Sequence, residues 1–119
     1  MIKKALSSFS FAINGIKIVW REEGNFRIQS FIAAFVVIFI FYYKFSLIEK
    51  SLVILAIVLV LAGEMINTAI EDLCNKIEPN SDSVIGKIKD IASGFVLLSS
   101  IGAVIIGLLV FVSHFYYLS

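Results

Sequence analysis

The stretch LVILAIVLVLAGEMINTAIEDLCN, residues 52–75, decides the fold. Its first twelve residues carry no polar side chain, and the whole stretch is long enough to cross a bilayer as one helix, which needs about 20 residues. Apolar runs also lie on either side of it, and we predict transmembrane helices over residues 27–46, 51–75 and 90–117. The 119 residues are 60% apolar and the mean hydropathy is +0.99, which leaves too little polar surface for a water-soluble domain. The sequence therefore predicts an all-α integral membrane protein.

The N-terminal segment, residues 1–22, has the pattern of an amphipathic surface helix. Its apolar residues recur at spacings of three and four, and its lysines and serines fall largely on the opposite face. Such a helix is expected to lie in the headgroup region with its basic face toward anionic lipid. No convincing cleavage site follows Lys3 and Lys4. We therefore expect residues 1–119 to form a single membrane-embedded domain.

Basic residues are divided unequally between the two sides of the predicted membrane. With the N-terminus inside, eight lysines and arginines lie on its side and two, Lys44 and Lys50, on the other. The positive-inside rule then predicts a cytoplasmic N-terminus in the cytoplasmic (inner) membrane. The net charge of only +1 argues against a nucleic-acid partner. Cys74 is the sole cysteine, so neither an intramolecular disulfide nor a cysteine-based metal cluster is expected.

Polar side chains interrupt the second predicted crossing along one face. Glu64 follows thirteen uncharged residues, and at 100° per residue Asn67, Glu71 and Asn75 fall with it within about 80° of one another. A carboxylate inside a transmembrane segment costs at least ~2.5 kcal/mol, so it marks a functional site by default. A helix end that has reached water would account for Glu71, but only poorly for Glu64, which lies about two turns deeper. We therefore predict that Glu64 serves chemistry.

Further charged residues are expected at the same cytoplasmic interface. Glu23 precedes the first crossing, and Lys89 and Asp90 open the third. Asp90 could instead simply cap the third helix, and Lys89 could simply extend to the headgroups. Taken together, the carboxylates offer hard oxygen ligands for Mg²⁺, which binds through one or two carboxylates plus substrate phosphates. This pattern indicates nucleotide-dependent phosphoryl transfer, although the phosphate loop GxxxxGK[ST] does not occur in the sequence.

A non-enzymatic interpretation competes with this one. A small membrane scaffold or pore subunit could use a polar stripe to seal an oligomer interface or to line an ion path. A conducting path would need polar residues along a whole helix, whereas here they crowd the cytoplasmic third of one. Their distribution favours an enzyme.

Three segments carry a resemblance to a known family: Glu64-Met-Ile-Asn67-Thr-Ala-Ile-Glu71, Lys89-Asp90-Ile-Ala-Ser-Gly and Glu23-Gly-Asn-Phe-Arg27. The chain resembles the prokaryotic diacylglycerol kinase family, which includes undecaprenol kinases, in length, helix order and loop spacing. The resemblance implies a homotrimer of three-helix subunits, each with an N-terminal surface helix. It also implies that Mg²⁺ and ATP are used to phosphorylate a membrane lipid alcohol.

The same resemblance assigns roles to individual residues. The sequence has a glutamate at each position where the family pattern implies the general base on the lipid hydroxyl or an acidic metal ligand. The implied roles are general base for Glu64, metal ligand for Glu23 and Glu71, and orientation of the nucleotide and its phosphates for Asn67, Lys89 and Asp90.

Two positions depart from the usual pattern of the family, and the substrate is a separate question. Asn75 stands where an aspartate is common, so it cannot supply the same charge to nucleotide binding, and Gln29 stands where an acid or a histidine is frequent. Ser93 is similar to diacylglycerol kinases, whereas Gly94 and residues 25–28 look more like undecaprenol kinases. We favour diacylglycerol as the substrate and keep undecaprenol as the alternative.

Overall fold

A computed structural model of the chain describes residues 1–116. This part of the chain consists of four α-helices: α1 (Ile2–Glu22), α2 (Gly24–Tyr42), α3 (Leu47–Ile77) and α4 (Ser83–Tyr116). The last three are each long and apolar enough to cross a membrane. The prediction of three crossing helices preceded by an N-terminal helix is therefore confirmed.

The third helix, α3, is the centre of the bundle. α4 packs along it most extensively, and α2 and α1 make smaller contacts with it. A buried apolar cluster of Ile40, Phe45, Val53 and Val110 joins α2, α3 and α4 near the α2–α3 turn. Large apolar side chains elsewhere point outward, as with Leu98, which is 72% exposed. An exposed apolar surface of this extent is stable in lipid and not in water.

The start of α3 is fixed by a capping box. The Ser46 side chain accepts a hydrogen bond from the backbone N–H of Glu49, and the Glu49 carboxylate accepts one from the backbone N–H of Ser46. These two bonds satisfy N–H groups that the first turn of a helix otherwise leaves unpaired. The helix therefore begins at Leu47, ahead of the crossing predicted from residue 51.

The fourth helix begins earlier than the predicted third crossing. An Asp82 carboxylate oxygen accepts the backbone N–H groups of Val84 and Ile85, so Asp82 caps the helix. Lys89 and Asp90 consequently lie inside α4, about two turns from its start. The interpretation of Asp90 as a helix cap is therefore wrong, because an earlier carboxylate takes that role. The predicted end of this crossing, Tyr117, lies outside the described residues.

A buried histidine joins the end of α4 to the α2–α3 turn. The His114 ring stacks on Phe45, with centroids 3.8 Å apart and an interplanar angle of 9°. Its Nδ1 lies 3.3 Å from Glu49 Oε1, and its Nε2 lies 3.1 Å from the Tyr43 carbonyl oxygen. Both partner atoms are acceptors, and a neutral imidazole has only one N–H. Both contacts are hydrogen bonds at once only when the ring is protonated.

Replacing His114 by leucine is expected to destabilise the bundle. The change removes the hydrogen bond that His114 Nε2 donates to the Tyr43 carbonyl oxygen, and the loss of one such bond lowers the free energy of unfolding by about 1 kcal/mol. Thermal unfolding in detergent micelles, followed by circular dichroism, measures the effect. The matched control is Ser113→Ala, which changes an exposed neighbour. Equal melting temperatures for the two variants would contradict a stabilising role for the histidine.

Candidate active site

Glu23 lies at the break between the first two helices. It is the single residue between α1 and α2, with an extended backbone at φ −112° and ψ 107°. Its own N–H donates to the Val19 carbonyl oxygen, and its carbonyl oxygen accepts from the Arg27 N–H. The chain thus changes direction at this carboxylate while the helical hydrogen bonds on both sides are kept. This break sets the half-buried Glu23 near α3.

Glu64 is buried in the bundle, with only 6% of its surface exposed. Gln29 Nε2 of α2 donates to Glu64 Oε1 over 3.4 Å, and Thr68 Oγ1 donates to the Glu64 carbonyl oxygen over 2.9 Å. The charges of Glu23 and Glu71 both act on this carboxylate. Two further carboxylates, one between α1 and α2 and one on α3, therefore lie within electrostatic range of Glu64.

A glycine lets α4 approach α3 at this level. A Cβ atom added at Gly63 would lie 2.9 Å from Cε1 of Phe95, closer than van der Waals contact allows. Small residues at such positions permit tight helix packing in membranes. The close approach of these two helices therefore depends on a glycine of the second predicted crossing.

Glu71 and Asn67 lie one turn apart on α3. Asn67 Nδ2 lies 3.5 Å from Glu71 Oε1, at the long end of a hydrogen bond, and both side chains are half-buried. Helical periodicity predicts this pairing, since residues four apart share a face. The stripe of Glu64, Asn67 and Glu71 thus points to the same side as Glu23 and Gln29.

Two buried oxygen atoms near the carboxylates lack a hydrogen-bond partner. They are Gln29 Oε1 and Asn67 Oδ1, and no other buried side-chain nitrogen or oxygen in residues 1–116 is left unpaired. In each amide the nitrogen faces a carboxylate, which leaves the carbonyl oxygen free. Unpaired buried polar atoms are uncommon and call for an explanation. A ligand that donates a hydrogen bond or offers a cation would supply one.

The donor set fits Mg²⁺. Among residues 1–116 no group of three or more histidine, cysteine, aspartate or glutamate side chains forms a metal site made of protein alone. Mg²⁺ does not require one, because it keeps waters and binds through one or two carboxylates together with substrate phosphates. Glu23, Glu71 and the free oxygen of Asn67 are hard oxygen donors of the kind that this ion prefers.

Lys89 reaches from α4 to the end of α3. Its Nζ donates to Asn75 Oδ1 over 2.5 Å, so the partner of the lysine is a neutral amide. Within the described chain no hydrogen bond or ion pair joins the exposed Asp90 to the carboxylate cluster. The structure therefore connects Lys89 with Asn75, and gives Asp90 no contact of its own with that cluster.

An apolar cavity of about 330 Å³ runs between α2, α3 and α4. Its walls include Val36, Val53, Val60 and Ala103, and Gln29 is one of two polar side chains that line it. The amide that contacts Glu64 therefore also borders an apolar space within the bundle.

Gln29 is the residue whose place in the site was not predicted. The sequence marked it only as a departure from the family pattern. A usable signal exists, because Gln29 and Ser30 are polar residues inside an otherwise uncharged apolar run, where polar groups are costly. That signal does not show which partner the amide meets.

Comparison with known proteins shows which family the chain belongs to. The sequence profile described as "Prokaryotic diacylglycerol kinase" matches residues 10–111. A "Diacylglycerol kinase" of Haemophilus influenzae is 31% identical over 108 residues, covering 89% of this chain and 92% of the relative. One of Escherichia coli K12 is 27% identical over 112 residues, with 94% and 92% covered. An "Undecaprenol kinase" of Bacillus subtilis is 33% identical over 110 residues, with 92% and 89% covered. The chain is therefore a multi-pass membrane lipid kinase that belongs to the prokaryotic diacylglycerol kinase family.

Proposed function

We propose that the protein transfers the γ-phosphoryl group of ATP to the hydroxyl group of diacylglycerol, giving phosphatidic acid and ADP. The observation that carries this proposal is the buried carboxylate of Glu64. It borders an amide that lines the apolar cavity and lies within electrostatic range of Glu23 and Glu71. A lipid hydroxyl and a water-borne nucleotide must meet at such a boundary between oil and water.

Glu64 acts as the general base. The lipid oxygen forms a bond to the γ-phosphorus, the bond from that phosphorus to the bridging oxygen of ADP breaks, and Glu64 takes the hydroxyl proton. A base contributes about 10²- to 10⁴-fold to such a step. The contact with Gln29 holds the carboxylate in place, since a buried side chain with a fixed partner keeps one orientation.

Glu23 and Glu71 would hold Mg²⁺, and Asn67 would orient the phosphates beside them. When bound, the ion neutralises charge on the phosphates during transfer. Asn67 supports this arrangement because its nitrogen faces Glu71 while its oxygen has no partner within the described chain. The two acids come from different segments of the chain, the break between α1 and α2 and the helix α3.

Lys89, Asn75 and Asp90 contribute to nucleotide binding. The lysine supplies a positive charge for the phosphates, and Asn75 fixes its position without neutralising it. Asp90 is one residue further along α4 and is exposed. An asparagine in place of an acid leaves the net charge near the phosphates more positive.

We also propose that the site faces the cytoplasm and that the active unit is a homotrimer. The excess of basic residues on the N-terminal side supports the first point. For the second, the number three is what the resemblance to the family implies, and an apolar groove of about 400 Å³ between α3 and α4, lined by Gly63, Asn67 and Phe95 among others, could receive a neighbouring subunit. A neighbouring subunit seated there would enclose the stripe on α3 from its second side.

Undecaprenol is the second candidate substrate. The relative named as an undecaprenol kinase is about as similar to this chain as those named as diacylglycerol kinases, with 33% identity against 31% and 27%. The apolar cavity would accept either kind of chain. A scaffold or pore without enzymatic activity is disfavoured by membership of a kinase family.

Assaying both lipids side by side tests the proposal. Purified protein in mixed micelles is given Mg²⁺ and ³²P-labelled ATP with diacylglycerol, with undecaprenol or with no lipid alcohol. We expect label in phosphatidic acid, and ATP consumption that depends on the lipid. If undecaprenol alone is labelled, the substrate of the enzyme is undecaprenol and not diacylglycerol. If ATP is consumed at the same rate with either lipid and without a lipid alcohol, that result would contradict the lipid kinase mechanism itself.

A further inference from the structure

Three basic side chains meet at the junction of α1 and α2, outside the carboxylate cluster. Lys17 and Arg21 lie one turn apart on α1, and Arg27 lies in the first turn of α2. Together with Ile16 and Trp20 they line a surface cleft of about 570 Å³. This group, called the basic cleft below, has no role in the proposed phosphoryl transfer.

Arg27 is held rigidly in the basic cleft. Its Nη1 donates to the carbonyl oxygens of Trp20 and Arg21, over 2.7 Å and 3.0 Å. These carbonyls belong to the last turn of α1, where a helix leaves them unpaired and carries partial negative charge. A guanidinium has five N–H donors, so the donors on Nε and Nη2 stay available while the group is fixed.

The positive charge of the basic cleft is not compensated by the protein. Within residues 1–116 the single ion pair closer than 4.0 Å joins His114 and Glu49, at the other end of the bundle. Lys17, Arg21 and Arg27 therefore have no carboxylate partner in the described chain. A structural role as a helix cap explains one nitrogen of Arg27, but it does not explain the two basic residues beside it.

The basic cleft lies at the level of the lipid headgroups. The Trp20 ring packs against Phe31 of α2, with centroids 5.5 Å apart, and α2 is one of the three candidate membrane spans. Tryptophan at the end of a span is typical of the membrane interface. α1 itself exposes a run of large apolar side chains, such as Phe9 at 67%, which need lipid beneath them.

We propose that the basic cleft is a binding site for the phosphate of an anionic bilayer phospholipid, separate from the site of phosphoryl transfer. Lys17, Arg21 and the fixed guanidinium of Arg27 surround the phosphate, and Trp20 packs beside the glycerol backbone. Arginine fixed in this way suits phosphate, because its planar fork donates paired hydrogen bonds. The proposal does not depend on the substrate that the kinase uses.

Fluorescence of Trp20 tests the proposal without any enzyme assay. Trp20 is the only tryptophan, so its quenching by brominated lipids reports which lipid lies in the basic cleft. The protein is reconstituted in phosphatidylcholine with increasing fractions of brominated phosphatidylglycerol, and in the converse mixture. A basic residue near the surface favours an anionic lipid by about fivefold, and we expect at least that preference for phosphatidylglycerol, weakening at high salt.

The double variant Lys17→Gln, Arg21→Gln is expected to reduce the preference at least fivefold while Trp20 stays quenchable. The matched control is Lys3→Gln, Lys4→Gln, which removes the same charge from the first turn of the same helix and should keep the preference. Equal quenching by both lipids in the unmodified protein would overturn the proposal. So would an equal loss in the control, which would indicate diffuse attraction.

Two further outcomes would assign the basic cleft to something else. If adding ATP at a constant lipid composition relieves the quenching of Trp20, the basic cleft binds the phosphates of the nucleotide. If neither brominated lipid quenches Trp20, protein covers the cleft, as a second copy of the chain would. Either result contradicts a lipid site.

Discussion

Changing Glu64 to glutamine is expected to abolish phosphorylation of the lipid while the protein still inserts and folds. Glutamine has the same size, and its carbonyl oxygen still accepts the hydrogen bond that Gln29 donates to Glu64 Oε1. It cannot take a proton from a hydroxyl group at neutral pH. The rate of transfer should fall by about 10²- to 10⁴-fold, the contribution of a general base. Initial rates of lipid labelling at saturating ATP measure this change.

The matched control for that experiment is Asp72→Asn. It removes a carboxylate from the same helix at an exposed position without a hydrogen-bond partner in the described chain, so activity should stay near that of the unmodified protein. Binding of a fluorescent ATP analogue to the Glu64→Gln variant should be unchanged, since the general base contacts the lipid side. A glutamine variant that labels lipid at the normal rate would remove Glu64 from its assigned role.

Changing Glu71 to glutamine is expected to give the second-largest loss. The amide can still accept the hydrogen bond from Asn67 Nδ2, so the local structure is preserved while one negative ligand for Mg²⁺ is lost. We expect kcat/KM for ATP to fall by about 10²- to 10³-fold, in line with removal of one electrostatic contact to a transferring group. Titration with Mg²⁺ should show that half-maximal activity needs a higher concentration.

The dependence on Mg²⁺ separates a metal ligand from a residue that only supports the fold. The Glu22→Gln variant, which neutralises an exposed acid next to Glu23, should titrate like the unmodified protein. If Glu71→Gln lowers the rate without shifting the Mg²⁺ requirement, Glu71 does not hold the ion. The Glu64→Gln variant should also keep the normal Mg²⁺ requirement, so the two roles give different patterns.

Site residues that share one helix could be placed together from the sequence, whereas contacts between residues on different helices could not be predicted. Glu64 and Glu71 could be placed together because both lie on one helix, where spacing alone fixes the face. Gln29 and Glu64 are 35 positions apart, and nothing in their own segments indicates that they touch. The pairing of Lys89 with Asn75 is similar: the residues were singled out separately, and the hydrogen bond between them depends on where α4 begins.

That starting point shows why helix ends are harder to predict than helix interiors. The apolar run predicts the part of α4 that crosses lipid, but Asp82 decides where the helix starts, through two hydrogen bonds to backbone N–H groups. Six residues of α4 precede Lys89 in consequence. A side chain that caps a helix leaves no periodic trace, since it acts at one position only.

By itself, the amino-acid sequence determined the three membrane crossings, the surface helix before them and the stripe of Glu64, Asn67 and Glu71. The reason is that hydrophobic run length and helical periodicity are local properties, and a bilayer accepts few other structures. Tertiary structure alone decided that Gln29 contacts Glu64 and that Lys89 contacts Asn75. It also decided that His114 contacts Glu49 at the opposite end of the bundle. Those contacts depend on how helices pack and on single side-chain positions, which no local pattern encodes.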